Sequence, residues 1–271
     1  MEAEYERLLP EGWTMDSVRA NGVDLGYYRT GSGPAVVMAH GFGESGLRWV
    51  PLADDLAADY EVVAYDARGH GRSDAPETGY RLDDRIADLR GLVRELGLDD
   101  PILLGHSMGA ATVAWTAARH PDLPRAIALE DPIGLHERPD RDPDERVAMA
   151  RERREEVVDS TVEELVEQYP NEDPVHARRL ALSALDCSPE TAGRLAREEF
   201  PAPHAETFSE IACPALVLRS DVDLERRLED VAAVDSLRDG RLVHVPNAGH
   251  HVFDDEYDTA YAELRTFLRS L

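Results

Sequence analysis

Ile102-Leu103-Leu104-Gly105-His106-Ser107-Met108-Gly109-Ala110-Ala111-Thr112 is the stretch on which the reading of this chain turns. Three apolar residues run into a serine with glycine two positions away on either side, and Met108 to Arg119 behind it follow a helical pattern. A Gly-x-Ser-x-Gly segment between a strand and a helix makes a sharp turn that forces strained backbone angles on the serine. Side chains at the flanking positions would meet neighbouring backbone, so glycine there has a steric reason. The helix N-terminus adds positive potential beside the serine oxygen. Ser107 is therefore the candidate nucleophile.

Outward from this turn the chain alternates. Ala35 to Ala39, Val62 to Ala64, Ala126 to Leu129 and Ala215 to Leu218 are apolar runs without polar alternation, as in strands buried on both faces of a parallel sheet. Val23 to Tyr28 and Arg241 to Val245 are further strand candidates. Helical patterns cover Trp49 to Ala58, Leu82 to Leu96 and Leu224 to Leu237, and the alternation predicts an α/β fold with right-handed crossovers. From about Leu135 to Ala205 it stops. That segment is rich in Glu and Arg, with spaced apolar residues and Pro170, Pro174 and Pro189 between short helical stretches. We read residues 1–134 and 206–271 as a core domain and 135–205 as an inserted helical cap.

The charge balance narrows the partners. Acidic residues outnumber basic ones 55 to 29, a net charge of -26. Lysine does not occur, so every base is arginine. Such a surface repels nucleic acid and anionic membrane, and neither is expected as a partner. It also repels itself, and salt relieves this: the Debye length falls from about 10 Å at 0.1 M to about 3 Å at 1 M. The composition is similar to that of proteins from salt-in halophilic microbes. No apolar run reaches the length of a membrane span, and the glutamates of the first residues do not suit a secretory signal. Cys187 and Cys213 read as free thiols in a reducing cytosol, and two cysteines do not suggest a metal site.

Four motifs in order carry a resemblance that covers about Asn21 to Leu271: His40-Gly41-Phe42-Gly43, Asp66-Ala67-Arg68-Gly69-His70-Gly71-Arg72-Ser73, the serine turn, and Asn247-Ala248-Gly249-His250. The chain resembles the α/β-hydrolase-fold enzymes of the cap-bearing esterase, C–C hydrolase and cofactor-free haloperoxidase-like group. The resemblance implies a mostly parallel central sheet with helices on both faces, a helical cap, no cofactor and no metal.

It also implies a Ser-His-Asp triad. A serine hydroxyl needs a base, and the family places it where His250 stands. His251 is the adjacent competitor, with a surface or helix-start residue as its plainer reading, and His40, His70 and His106 read as loop-shaping residues. The acid that fixes the base's tautomer falls on Asp223, past the strand Ala215 to Leu218, with Ser220 in place of the usual glycine. Asp131, after the strand Ala126 to Leu129, and Asp221 are the alternatives; Asp131 reads more readily as a loop or cap-hinge carboxylate. The oxyanion donors map onto the backbone N–H groups of Phe42 and Met108. The Asp66 to Ser73 loop reads as structural, with ion pairs at Asp66 and Arg68.

The expected activity is cleavage of a small neutral or apolar ester through an acyl-enzyme, in a cytoplasmic monomer or homodimer acting on a small-molecule substrate. A C–C bond hydrolase, lactonase, amidase or perhydrolase would use the same triad, and a hydrolase-like binding protein is the reading from another class. Serine at position 107 speaks against epoxide hydrolase and haloalkane dehalogenase chemistry, whose relatives carry aspartate there.

Overall fold

The computed structural model describes residues 2–133, 141–198 and 205–271. The chain divides into two compact units. One comprises Pro34–Phe42, Leu98–Arg138 and Pro201–Leu271, the other Met1–Gly33, Gly43–Gly97 and Pro139–Phe200.

The strands are numbered in chain order: β1 (Thr14–Ala20), β2 (Val23–Gly31), β3 (Ala35–Ala39), β4 (Glu61–Tyr65), β5 (Ile102–His106), β6 (Ala126–Glu130), β7 (Ala215–Arg219) and β8 (Gly240–His244). The first unit named above holds β3-β5-β6-β7-β8, all parallel, with Val36 opposite Ile102, His106 opposite Glu130, Glu130 opposite Leu218 and Arg219 opposite His244. Every residue of β3, β5, β6 and β7 is buried. A strand buried along its whole length is covered on both faces, which is why these segments read as continuous apolar runs. The same unit carries α4 (Met108–Arg119), α9 (Ala205–Glu210), α10 (Leu224–Val234), α11 (Val252–Asp255) and α12 (Tyr257–Leu268).

In the other unit β2 pairs antiparallel with both β1 and β4. With it go α1 (Glu2–Leu8), a 3-10 turn at Gly46–Trp49, α2 (Val50–Leu56), α3 (Leu82–Glu95), α5 (Pro143–Val158), α6 (Val162–Val166), α7 (Pro174–Leu185) and α8 (Pro189–Arg197). Proline stands near the start of α2, α5, α7 and α8, where its missing N–H has no helical acceptor to lose. The side chains of Asp142, Asp173 and Ser188 accept from first-turn N–H groups of α5, α7 and α8. Between β6 and β7 the described residues form helices and no strand. The expected start of the insert, at residue 135, lies outside the described residues, and residue 205, its expected end, opens α9.

Strand β1 and helix α1 have no counterpart in the sequence reading, because Thr14-Met15-Asp16-Ser17-Val18-Arg19-Ala20 is too polar to mark a strand by hydrophobicity. The pairing with β2 makes it one. In the loop after β4, the buried Arg68 guanidinium pairs with Asp88 at 2.5 Å. Asp66 accepts from the backbone N–H groups of Gly46 and Arg72, at 2.7 and 2.8 Å. Gly71, at φ +51°, leaves room for that carboxylate where a Cβ would collide with it.

Candidate active site

Five parallel strands end on one edge, and chemistry-bearing residues follow directly: Phe42 after β3, Ser107 after β5, Asp131 after β6, Ser220 after β7 and His250 after β8. The C-terminal edge of a parallel sheet is where such folds place ligands.

Ser107 has φ 50° and ψ −109°, a strained conformation for a residue with a side chain. Its N–H donates to the Glu130 carbonyl at 2.9 Å. A Cβ at Gly105 would lie 2.5 Å from the Gly109 carbonyl carbon. One at Gly109 would lie 2.6 Å from the His40 carbonyl oxygen and closer still to that of Ala39. Both glycines are thus required by main chain that cannot move aside. Met108 begins α4, so its N–H is among those that no carbonyl of the preceding helical turn can serve.

His250 joins Ser107 to a carboxylate. Its Nε2 lies 2.9 Å from Ser107 Oγ and its Nδ1 lies 2.6 Å from Asp131 Oδ2. An ionised carboxylate only accepts, so Nδ1 carries the proton and Nε2 is left to accept the serine hydroxyl. The His106 ring donates from Nε2 to the His250 carbonyl at 3.0 Å and holds the loop in register. Glu130, buried at the end of β6, accepts from Phe253 N–H at 3.0 Å just past it. Asp221 accepts from Asn247 N–H at 3.0 Å and pairs with Arg227.

The carboxylate that the structure brings to His250 is that of Asp131 and not that of Asp223. Asp223 does not face His250. It is exposed and caps α10, its Oδ1 accepting from Arg226 N–H at 3.0 Å. Asp131, read as a loop or hinge carboxylate, is the group against the imidazole. Its backbone, at φ 39°, is in the left-handed region, as Ser107's is. Oδ1 accepts from Arg219 Nη1 at 2.6 Å, Ser220 N–H at 3.1 Å and Ser220 Oγ–H at 3.0 Å. Burial alone would raise this carboxyl. The hydrogen bond to His250, the Arg219 charge and the Ser220 N–H outweigh it, and the carboxyl sits below its ordinary value. One signal could have found it: Arg219 ends an otherwise apolar, buried strand, and a buried guanidinium requires a carboxylate nearby.

The other histidines keep lesser places. His251 is exposed at the start of α11, the helix-start position that was its plainer reading. His70 Nε2 accepts from Gly43 N–H at 3.1 Å, and His40 Nδ1 lies 2.7 Å from the Gly41 carbonyl. Phe42 is more than a third exposed.

Comparisons agree with this architecture. A family model described as the alpha/beta hydrolase fold matches residues 34–211. The 2-(acetamidomethylene)succinate hydrolase of Mesorhizobium japonicum is 30% identical over 260 residues, covering 91% of this chain and 92% of that one. The 2-hydroxy-6-oxo-6-(2'-aminophenyl)hexa-2,4-dienoic acid hydrolase of Metapseudomonas resinovorans is 34% identical over 122 residues, 44% of this chain and 42% of that one. The crystal structure of an E-2-(acetamidomethylene)succinate hydrolase superposes with a TM-score of 0.76 at 25% identity, over 94% of this chain and all of that one.

Proposed function

Since the chain belongs to the α/β-hydrolase fold family and is an enzyme of that family, we propose that it is a serine hydrolase with Ser107 as nucleophile, His250 as base and Asp131 as acid. The observation that carries this reading is the unbroken line from Ser107 Oγ through His250 to Asp131, with gaps of 2.9 and 2.6 Å. As Ser107 Oγ attacks an acyl carbon, its proton passes to His250 Nε2, and the Asp131 carboxylate stabilises the imidazolium. The backbone N–H groups of Met108 and Phe42 receive the developing oxyanion. Collapse expels the leaving group, which takes the proton from His250. Water, deprotonated by the same nitrogen, then attacks the acyl-enzyme and frees Ser107.

The substrate in this reading is a small neutral or apolar ester, with helices α5–α8 as the cap that selects it. A second reading has support: a relative that matches over most of both chains is a hydrolase of 2-(acetamidomethylene)succinate, an amide-bearing dicarboxylate. C–C cleavage by the same triad is favoured by the shorter match to a dienoic acid hydrolase. The net charge of -26 without lysine supports an enzyme that works in high salt, and the free thiols Cys187 and Cys213 suit a cytoplasmic one.

One assay separates these. In molar salt the protein is offered p-nitrophenyl esters of graded chain length, 2-(acetamidomethylene)succinate and a vinylogous diketone, and is labelled with a fluorophosphonate probe. Turnover of short esters and labelling of wild type but not Ser107→Ala is the expected result. Equal labelling of both would remove Ser107 as nucleophile. Faster turnover of the succinate or the diketone would move the substrate class and leave the triad.

A further inference from the structure

The carboxylate behind His250 is itself held by a buried charge. Arg219 Nη1 donates to Asp131 Oδ1 at 2.6 Å and its Nε to Asp230 Oδ1 at 3.1 Å. Asp230 Oδ2 lies 2.8 Å from His244 Nε2. The side chains of Arg219 and Asp230 are 6% and 0% exposed. The line therefore runs from Ser107 through His250, Asp131, Arg219 and Asp230 to His244, and draws on β5, β6, β7, α10 and β8.

A guanidinium and a carboxylate withdrawn from water lose several kcal/mol of hydration each, and apolar residues of equal volume often serve stability as well or better. What an apolar residue could not supply at position 219 is a positive charge against the oxygen of Asp131 that does not face the imidazole. That charge draws the carboxylate's negative charge toward Oδ1 and weakens its hold on the His250 proton. Asp230 draws the guanidinium the other way.

We propose that Arg219 and Asp230 are positioning residues that act through Asp131 in opposite directions and together set the pH at which His250 gives up its proton. Arg219 lowers that pH and Asp230 restores it. The proposal rests on the triad reading for the use His250 makes of its proton. Among the described residues, the groups facing His250 and this line include Ser107, Asp131 and His244, with the His106 and His251 rings at 4.7 and 5.5 Å from that of His250. Glu130, Asp221 and Asp255 accept from backbone N–H groups of the His250 loop and the turn after it.

The test reads the imidazole twice. NMR follows the His250 ring protons against pH in the resting protein, with no substrate, and kcat/KM for a p-nitrophenyl ester is measured over the same range. Arg219→Gln is expected to move the His250 titration and the acid limb of the rate profile up by about one pH unit, and Asp230→Asn to move both down by a similar amount. Arg219→Lys, which keeps the charge, is expected to stay within a few tenths of a unit of wild type. Equal or absent shifts in Arg219→Gln and Asp230→Asn would overturn the proposal. Should Arg219→Gln fail to fold, the downward shift in Asp230→Asn decides alone. If no ester is turned over, the ester reading is at fault, and the NMR titrations still decide this proposal.

Discussion

His250 Nδ1 lies 2.6 Å from Asp131 Oδ2, across 119 residues of chain. Asp223, on the next strand-end loop, has its carboxylate on the N-terminus of α10. The two aspartates therefore answer differently to the same substitution. Asp131→Asn is expected to cost about 10⁴-fold in kcat, because an amide cannot both orient the imidazole and stabilise its charge. Asp223→Asn is expected to leave kcat within a few-fold, since asparagine caps a helix as well as aspartate does. Asp223→Ala is expected to lose about 1 kcal/mol of stability. Steady-state kinetics and denaturant melts measure both.

The turn around Ser107 makes a prediction about space. At Gly109 an added methyl meets the carbonyl oxygens of Ala39, the last residue of β3, and of His40, and neither can rotate away. Gly109→Ala is expected to cost about 3 kcal/mol or to prevent folding. At Gly97 no atom lies within 4 Å of the added carbon, and only the positive φ of 63° is strained. Gly97→Ala is expected to cost about 1 kcal/mol. Thermal unfolding of the two variants side by side checks the contrast.

Asp186 predicts a pH dependence of stability. It follows α7, accepts a hydrogen bond from Tyr5 of α1, and burial pushes its carboxyl up to about 7. In the unfolded chain the same group titrates near 3.9. Between about pH 4 and pH 7 the folded state thus holds a proton that the unfolded state has released. Stability from this group is complete below pH 4 and is lost as pH rises through 7. Asp186→Asn removes the ionisation and keeps the shape. It is expected to stabilise the protein by about 2 kcal/mol at pH 8 and to change little at pH 4. Denaturant melts at the two pH values show it; an equal effect at both would refute the assignment.

The acidic composition predicts a response to salt. With -26 charges and no lysine, repulsion is spread over the surface and is screened as the Debye length contracts. The unfolding midpoint is expected to rise between 0.1 M and 2 M KCl. An unchanged midpoint would remove the high-salt reading.

Much of the α/β alternation could be read along the chain because its evidence is local. Apolar runs marked β3, β5, β6 and β7 because strands covered on both faces need no polar alternation, and α4 was expected over the same residues, Met108 to Arg119, that form it. β1 escaped because its register with β2 is a property of two strands, and neither sequence contains it. The serine and the histidine that the structure brings together were also singled out, one from its glycines and one from its place in a familiar order.

The acid was not. Aspartates follow both β6 and β7, and both loops suit a triad acid by residue type. Sequence alone determined that a serine sits in a strand-turn-helix bend, since glycine spacing and apolar runs report the backbone directly. Only the tertiary structure decided which carboxylate meets the imidazole. That depends on where a loop's backbone turns: φ 39° at Asp131 accompanies its approach to His250, while a cap geometry at Asp223 spends its oxygen on α10. It also depends on Arg219, whose buried charge has meaning only once β6, β7 and α10 stand together.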